Sequence, residues 1–88
     1  MREERPWGWD ETIEDGSDYR LKKIHLDPGQ RFSLQFHRSR SEHWVVIHGD
    51  GIVTLGHDEI PCKPGSSFTI GIEQRHRAQA GNDGLPFI

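Results

Sequence analysis

Glycine and proline interrupt this chain at short intervals, and that spacing constrains its fold more than any other feature. Ten glycines and five prolines fall among 88 residues, and no window keeps a 3.6-residue apolar period beyond two turns. Short strands at regular spacing are typical of antiparallel sandwiches and barrels, so the sequence predicts an all-β domain. The predicted turns are Asp15–Ser17, Asp27–Gly29, Gly49–Gly51, Gly56–Asp58, Pro61–Gly65 and Gly81–Gly84.

β-Branched and aromatic residues concentrate in three runs between these turns, namely His43–Ile47, Ile52–Leu55 and Phe68–Ile70. Such runs favour strands. Asp50-Gly51 separates the first two runs, and an Asp-Gly pair between apolar runs is a strong hairpin signal. The sequence therefore predicts that the first two strands pair with each other.

A strand is also predicted at Arg31–His37, where Phe32, Leu34 and Phe36 alternate with polar residues. Residues two apart share a strand face, so three large apolar side chains would lie opposite Gln35 and His37. If the polar face lines a pocket, a second sheet or another subunit must cover the apolar face. A domain this small often gains stability from a metal or from oligomerisation, so we expect a homodimer.

Composition excludes several classes of protein. Eleven basic residues against 14 acidic ones give a net charge of −3, which argues against nucleic-acid binding. No apolar run approaches the ~20 residues of a membrane span, and the charged N-terminus lacks a signal peptide's apolar stretch. We therefore expect a cytoplasmic protein with no membrane partner. A lone cysteine, Cys62, forms neither an internal disulfide nor a cysteine zinc cluster.

The length predicts a single domain over residues 1–88. Within it, residues 1–18 are expected to form an N-terminal arm and an acidic loop, and residues 19–88 a barrel.

One constellation has the spacing of a metal site. Gly29 is followed after five residues by Gln35-x-His37, after four more by Glu42, and after six more by Gly49. This spacing resembles the first motif of the cupin superfamily, Gly-x5-His-x-His-x(3,4)-Glu-x6-Gly, with Gln35 replacing the first histidine. The resemblance implies a small antiparallel β-barrel or jelly roll, the double-stranded β-helix, and we expect truncation at its last strand.

The second cupin motif is matched by spacing alone. Gly65 is followed after five residues by Gly71, and then by His76 and Ala80 at the expected intervals. The motif's proline, its second glycine and its final asparagine are absent.

The resemblance implies that Gln35, His37, Glu42 and His76 are metal ligands. Two imidazoles, a carboxylate and an amide oxygen suit a divalent transition metal, with zinc expected first and manganese, iron, cobalt or nickel as alternatives. Three or four protein ligands leave positions open for water or substrate, which is the catalytic pattern. Gln35 either binds the metal or orients a metal-bound water.

A narrower resemblance covers most of the chain. The matching segments are Arg5–Gly8, Tyr19–Ile24, Pro28-Gly29, Ser33–His37, Arg40–Trp44 and His76-Arg77. Together they resemble the type II mannose-6-phosphate isomerase family, in which a cupin domain follows, or stands apart from, a mannose-1-phosphate guanylyltransferase domain. No such second domain is present in these residues, so nucleotidyl transfer is not expected of them.

The resemblance implies metal-dependent aldose–ketose isomerisation of a small phosphorylated sugar, mannose 6-phosphate to fructose 6-phosphate. Arg40 and Arg77 would contact phosphate or an oxyanion, because the guanidinium fork suits such groups. The general base is a lysine, a histidine or a metal-bound hydroxide. Lys23 is a candidate catalytic residue.

Two other functions fit the same residues. Two histidines and one carboxylate are also the ligands of non-haem Fe(II) oxygenases, so a cupin dioxygenase is one alternative. A non-catalytic sugar- or metabolite-binding cupin is the other, favoured by the departures in the second motif.

Overall fold

The structure, a computed structural model, describes residues 2–88 as nine strands, all paired antiparallel, with no helix among them. The predicted all-β antiparallel fold is confirmed. The strands are β1 (Arg2–Arg5), β2 (Gly8–Asp15), β3 (Arg20–Leu26), β4 (Glu42–Val45), β5 (Gly51–Leu55), β6 (Asp58–Cys62), β7 (Ser67–Ile70), β8 (His76–Ala80) and β9 (Leu85–Phe87).

Three sheets surround the core. Their strand orders are β1-β2-β3-β9, β4-β7 and β6-β5-β8. A bridge between Val46 and Phe87 joins the first sheet to the chain that leaves β4. The buried apolar residues form one cluster: Leu26, Phe32, Trp44, Val46, Val53, Cys62, Phe68, Ile70, Ala78, Ala80, Leu85 and Phe87.

Strand alternation explains which side chains reach this core. Ile24 and Leu26 on β3 pack into it, and so does Trp44 on β4. Because alternate residues share a face, Lys22 lies on the inward face of β3 and Glu42 on the inward face of β4. The strand faces that supply the core residues therefore also hold the polar side chains of Lys22 and Glu42.

The predicted pairing of the strands around Asp50-Gly51 is wrong. β4 pairs with β7, and β5 pairs with β6 and β8. Gly49 has φ of +79° and lies so close to the Gly84 carbonyl that a side chain would collide with it. The chain does turn at Asp50-Gly51, but it crosses there into another sheet, because a turn signal does not specify the partner of the next strand.

The predicted strand at residues 31–37 is also wrong. Only isolated bridges occur there, Arg31 with Gln79 and Gln35 with His76. Phe32 is buried, whereas Leu34 and Phe36 are 40% and 45% exposed. The three apolar side chains therefore share no single face, and the homodimer inferred from such a face stays a prediction.

The N-terminal region is part of the first sheet. Residues 2–15, expected to form an arm and loop, supply β1 and β2, and β2 pairs along β3. Met1 lies outside the described residues. None of residues 2–88 forms a helix long and apolar enough to cross a membrane.

Candidate metal and ligand site

Three of the predicted ligands converge at the open end of the core. The Nε2 atom of His37 lies 3.0 Å from Oε2 of Glu42, and Nε2 of His76 lies 3.6 Å from the same oxygen. The three candidate ligand atoms, one from each residue, all lie within 4.8 Å of one another. The spacing-based expectation of a metal-binding cluster therefore has a matching arrangement in three dimensions.

Backbone hydrogen bonds bring the cluster together. Gln35 and His76 exchange N–H···O bonds of 3.0 and 2.8 Å, and the Glu73 N–H donates to the His37 carbonyl at 2.7 Å. Glu42 begins β4 and His76 begins β8. These hydrogen bonds hold the irregular segment before β4 against the start of β8, beside the three candidate ligands.

Hydrogen bonds also orient two of the ligands. Nδ1 of His76 lies 3.0 Å from the Gln74 carbonyl, and a carbonyl oxygen only accepts. In the neutral ring Nδ1 therefore carries the proton, and the Nε2 lone pair faces Glu42. The Trp44 indole N–H donates to Oε1 of Glu42 at 2.9 Å, which leaves Oε2 for the cluster. Such outer partners fix the tautomer and orientation of metal ligands.

The contacts of His37 support the fit to a cation. A guanidinium only donates, and Nη2 of Arg40 lies 3.0 Å from His37 Nε2, the atom that also faces Glu42 Oε2. One Nε2 cannot accept from Arg40 and donate to Glu42 with a single proton placement. When both imidazoles present lone pairs to Glu42 Oε2, three electron-rich atoms face one another. This donor set fits a divalent transition metal.

The surroundings keep His37 neutral. Its pKa lies below the ordinary value chiefly because burial disfavours the charged ring, and Arg40 and His76 lower it further, against an opposing effect of Glu42. Metal ligation requires a neutral imidazole, and burial favours that form of His37.

A cavity of about 270 Å³ opens beside the cluster. His76 forms part of its wall and is itself 1% exposed. The Trp44 ring meets His76 edge-on at 5.6 Å between centroids. The lining residues are Arg5, Trp7, Asp10, Lys22, Ile24, Phe32, Gln35, Arg40, Glu42, Trp44 and His76.

The structure places some of the other predicted site residues at the cavity and others away from it. Gln35 lines the cavity, and Arg40 lies at its rim, with Nε 3.4 Å from Glu42 Oε2. Lys23 lies on the other face of β3, with Nζ 5.6 Å from the Trp9 ring centroid. Arg77 follows His76 on β8, so its side chain leaves the opposite face of the strand. Lys23 and Arg77 are not brought to the cluster.

Three charged residues that line the cavity were not predicted as site residues, namely Arg5, Asp10 and Lys22. Asp10 accepts from Arg5 Nε at 2.8 Å and lies 3.4 Å from Lys22 Nζ. The alternation of side chains along β3 could have identified Lys22 as a cavity residue, because Lys22 shares a face with Ile24 and Leu26 whereas Lys23 does not. No such pattern identified Asp10. A buried carboxylate is rare unless it is paired, so there was no reason in the sequence to expect Asp10 in a cavity wall.

A second, wider groove of about 690 Å³ adjoins this cavity. Lys22, Ile24, Arg40, Glu42 and Trp44 line both. The two spaces together can take a ligand with one group near the cluster and another beyond the Arg40 rim.

Comparison with known proteins places residues 1–87 in the family described as "Mannose-6-phosphate isomerase C-terminal". A protein of Escherichia coli O157:H7 named "Mannose-1-phosphate guanylyltransferase 2" is 50% identical over 52 residues, 59% of this chain and 11% of that protein. A "Putative mannose-1-phosphate guanylyltransferase" of Vibrio cholerae is 46% identical over 72 residues, 82% of this chain and 16% of that protein. The chain thus spans a small part of these relatives.

Solved structures show the same fold. KdgF from Halomonas sp. superposes with a TM-score of 0.89 at 19% identity, covering 99% of this chain and 82% of the other. An RmlC-like cupin from Shewanella frigidimarina gives 0.90 at 20%, covering 99% and 78%. The cupin resemblance and the jelly-roll expectation are confirmed.

The expected activity, isomerisation of mannose 6-phosphate, is wrong. Relatives that carry this domain are named mannose-1-phosphate guanylyltransferases, not isomerases. Isomerases and guanylyltransferases share the domain, so its motifs do not specify isomerisation. The names of these relatives point to neither the dioxygenase nor the binding-module alternative.

Proposed function

Because the chain belongs to the mannose-6-phosphate isomerase C-terminal family of cupin domains, we propose that it binds a divalent transition metal and holds a mannose phosphate beside it. The carrying observation is the convergence of His37, Glu42 and His76, of which Glu42 and His76 line the cavity. Mannose 1-phosphate appears in the names of relatives, which are enzymes. For the whole protein, we propose a role in guanylyl transfer to mannose 1-phosphate.

His37, Glu42 and His76 would hold the metal, with zinc expected first because three N and O ligands plus an open position suit its tetrahedral preference. A bound ion of this kind supplies a Lewis acid that binds and polarises sugar or phosphate oxygens. Trp44 and the Gln74 carbonyl keep Glu42 and His76 oriented in the absence of ligand.

The chain's own residues supply the rest of the binding site. Trp7 and Phe32 give the cavity an apolar side, with ring centroids 5.9 Å apart. Arg40 places its guanidinium at the rim shared with the wider groove, where it would pair with the phosphate group. A cavity of about 270 Å³ is near the lower end of ligand pockets, which suits a single hexose ring.

Elemental analysis of the purified protein tests the metal site. We expect about one transition metal per chain in the wild type, loss of that metal in His37→Ala, and its retention in His57→Ala. His57 is an exposed histidine in the turn between β5 and β6, so it controls for the loss of an imidazole.

Calorimetric titration of the metal-loaded protein with mannose 1-phosphate and mannose 6-phosphate tests the ligand. We expect binding to the wild type and weaker binding to His37→Ala. Wild-type protein that takes up no metal after exposure to zinc, manganese and iron would overturn the proposal, as would loaded protein that binds neither sugar phosphate.

A further inference from the structure

Asp10 is a buried carboxylate outside the metal cluster. It is 6% exposed and, with His76, is one of two buried polar side chains among residues 2–88. It lies on β2 and lines the same cavity as Glu42 and His76. β2 belongs to the four-stranded sheet, whereas β4 and β8 belong to the other two sheets. Asp10 and the metal cluster therefore enter the cavity from different sheets.

Two cations hold this carboxylate. Arg5 Nε donates to Oδ2 at 2.8 Å, and Arg5 is also tied to Glu3 through Nη2 at 2.7 Å. Lys22 Nζ lies 3.4 Å from Oδ1. An ammonium group has three donors and a carboxylate oxygen has more than one lone pair, so neither partner is saturated by the other. The Lys22 side chain is 34% exposed and lines both the cavity and the groove.

The Asp10–Lys22 pair thus offers an acceptor and a donor side by side in a ligand-sized space. A hydroxyl group both donates and accepts, so neighbouring hydroxyls of a sugar match the pair. The dianion of a sugar phosphate monoester only accepts, and its oxygens would meet the negatively charged oxygens of Asp10. Arg5 and Lys22 offset that charge overall, so the discrimination lies at the Asp10 oxygens, which give a phosphate oxygen no donor.

We propose that Asp10 and Lys22 form the hydroxyl-binding subsite of this cavity, with Arg5 as a positioning residue that holds Asp10. The phosphate of the same ligand then lies toward Arg40, away from Asp10. This inference rests on the proposed function, because it names the part of a sugar phosphate that one wall of the cavity recognises.

The test compares two probes, mannose 6-phosphate and inorganic phosphate, by calorimetry on zinc-loaded protein. Asp10→Asn keeps the shape and removes the charge, and Lys22→Met keeps the apolar stem and removes the ammonium. We expect each variant to bind mannose 6-phosphate about tenfold more weakly or worse, since hydrogen bonds to charged groups are among the stronger ones. Inorganic phosphate should bind Asp10→Asn at least as tightly as it binds the wild type.

Lys63→Met is the matched control, because Lys63 is exposed in the turn after β6. It should bind both probes as the wild type does. Should Asp10→Asn fail to fold, judged by circular dichroism, Lys22→Met carries the test alone, with a greater loss for the sugar phosphate than for inorganic phosphate.

The outcomes separate this inference from the proposed function. If the wild type binds mannose 6-phosphate and both variants bind it equally well, the subsite is refuted and the proposed function stands. If Lys22→Met loses both probes equally, the pair is a phosphate subsite and the inference is overturned. Loaded wild-type protein that binds neither mannose 1-phosphate nor mannose 6-phosphate overturns both.

Discussion

Replacing Trp44 by phenylalanine should weaken metal binding without removing a ligand. The indole N–H donates to Oε1 of Glu42 at 2.9 Å, and Oε2 of the same carboxylate faces both histidines. Phenylalanine keeps a ring in the core but has no donor. The carboxylate then loses the bond that fixes its rotation, and it must be reoriented each time that a metal binds.

The magnitude follows from the bond that is lost. A hydrogen bond to a charged group contributes roughly 1.5–3 kcal/mol, and each ~1.4 kcal/mol is tenfold in affinity. We therefore expect metal affinity to fall by about 10- to 100-fold, the range typical of outer-partner mutations at metal sites. Because the Glu42 side chain is 21% exposed, water replaces part of the bond, so the metal-free protein should lose only about 1–2 kcal/mol of unfolding free energy.

Competition against a chromophoric zinc chelator measures this change. Trp9→Phe is the matched control, because Trp9 stacks on His25 with 5.2 Å between ring centroids and does not line the cavity. The control should hold zinc as tightly as the wild type. Equal zinc affinities for Trp44→Phe and Trp9→Phe would refute the assigned role of the indole N–H.

Two further predictions concern the core. Phe87 is 1% exposed and lies 4.7 Å from Trp44 between ring centroids, so Phe87→Ala should cost about 3–5 kcal/mol in urea denaturation, and a loss below ~1 kcal/mol would contradict this packing. Burial, with a smaller effect of Asp50, raises the pKa of the Cys62 thiol above its ordinary 9.0. The folded state therefore keeps its proton where the unfolded chain loses it, so this contribution to stability is complete below pH ~9 and declines above it. A thiol reagent at pH 8 should modify Cys62 slowly until denaturant is added, and modification at the unfolded rate without denaturant would disprove the burial.

The cluster of His37, Glu42 and His76 could be predicted from the sequence because the three residues match the spacing of the cupin motifs. His37 and Glu42 are close in the chain, and the interval from Gly65 leads to His76. The segment around His37 was nevertheless predicted as a regular strand, and it makes only isolated bridges. The motif spacing identified which residues meet even where the local conformation was predicted wrongly.

The second wall of the cavity could not be predicted as readily. Choosing between Lys22 and Lys23 requires the phase of β3, which Ile24 and Leu26 reveal only once they are known to be buried. Asp10 meets Lys22 diagonally across the β2–β3 ladder, where Asp10 pairs with Ile24 and Lys22 with Thr12. This contact depends on the register between β2 and β3, which the local sequence of neither strand specifies.

The hydrogen-bonded bridge between Gln35 and His76 would make metal binding at the proposed site a late event in folding. Before β8 docks, the chain presents only two of the proposed ligands, His37 and Glu42, which are five positions apart. The third ligand arrives when distant parts of the chain close a long loop, and loop closure carries an entropic cost that slows folding. A bound ion would therefore stabilise the finished barrel and do little to nucleate it, so its removal should speed unfolding far more than it slows refolding.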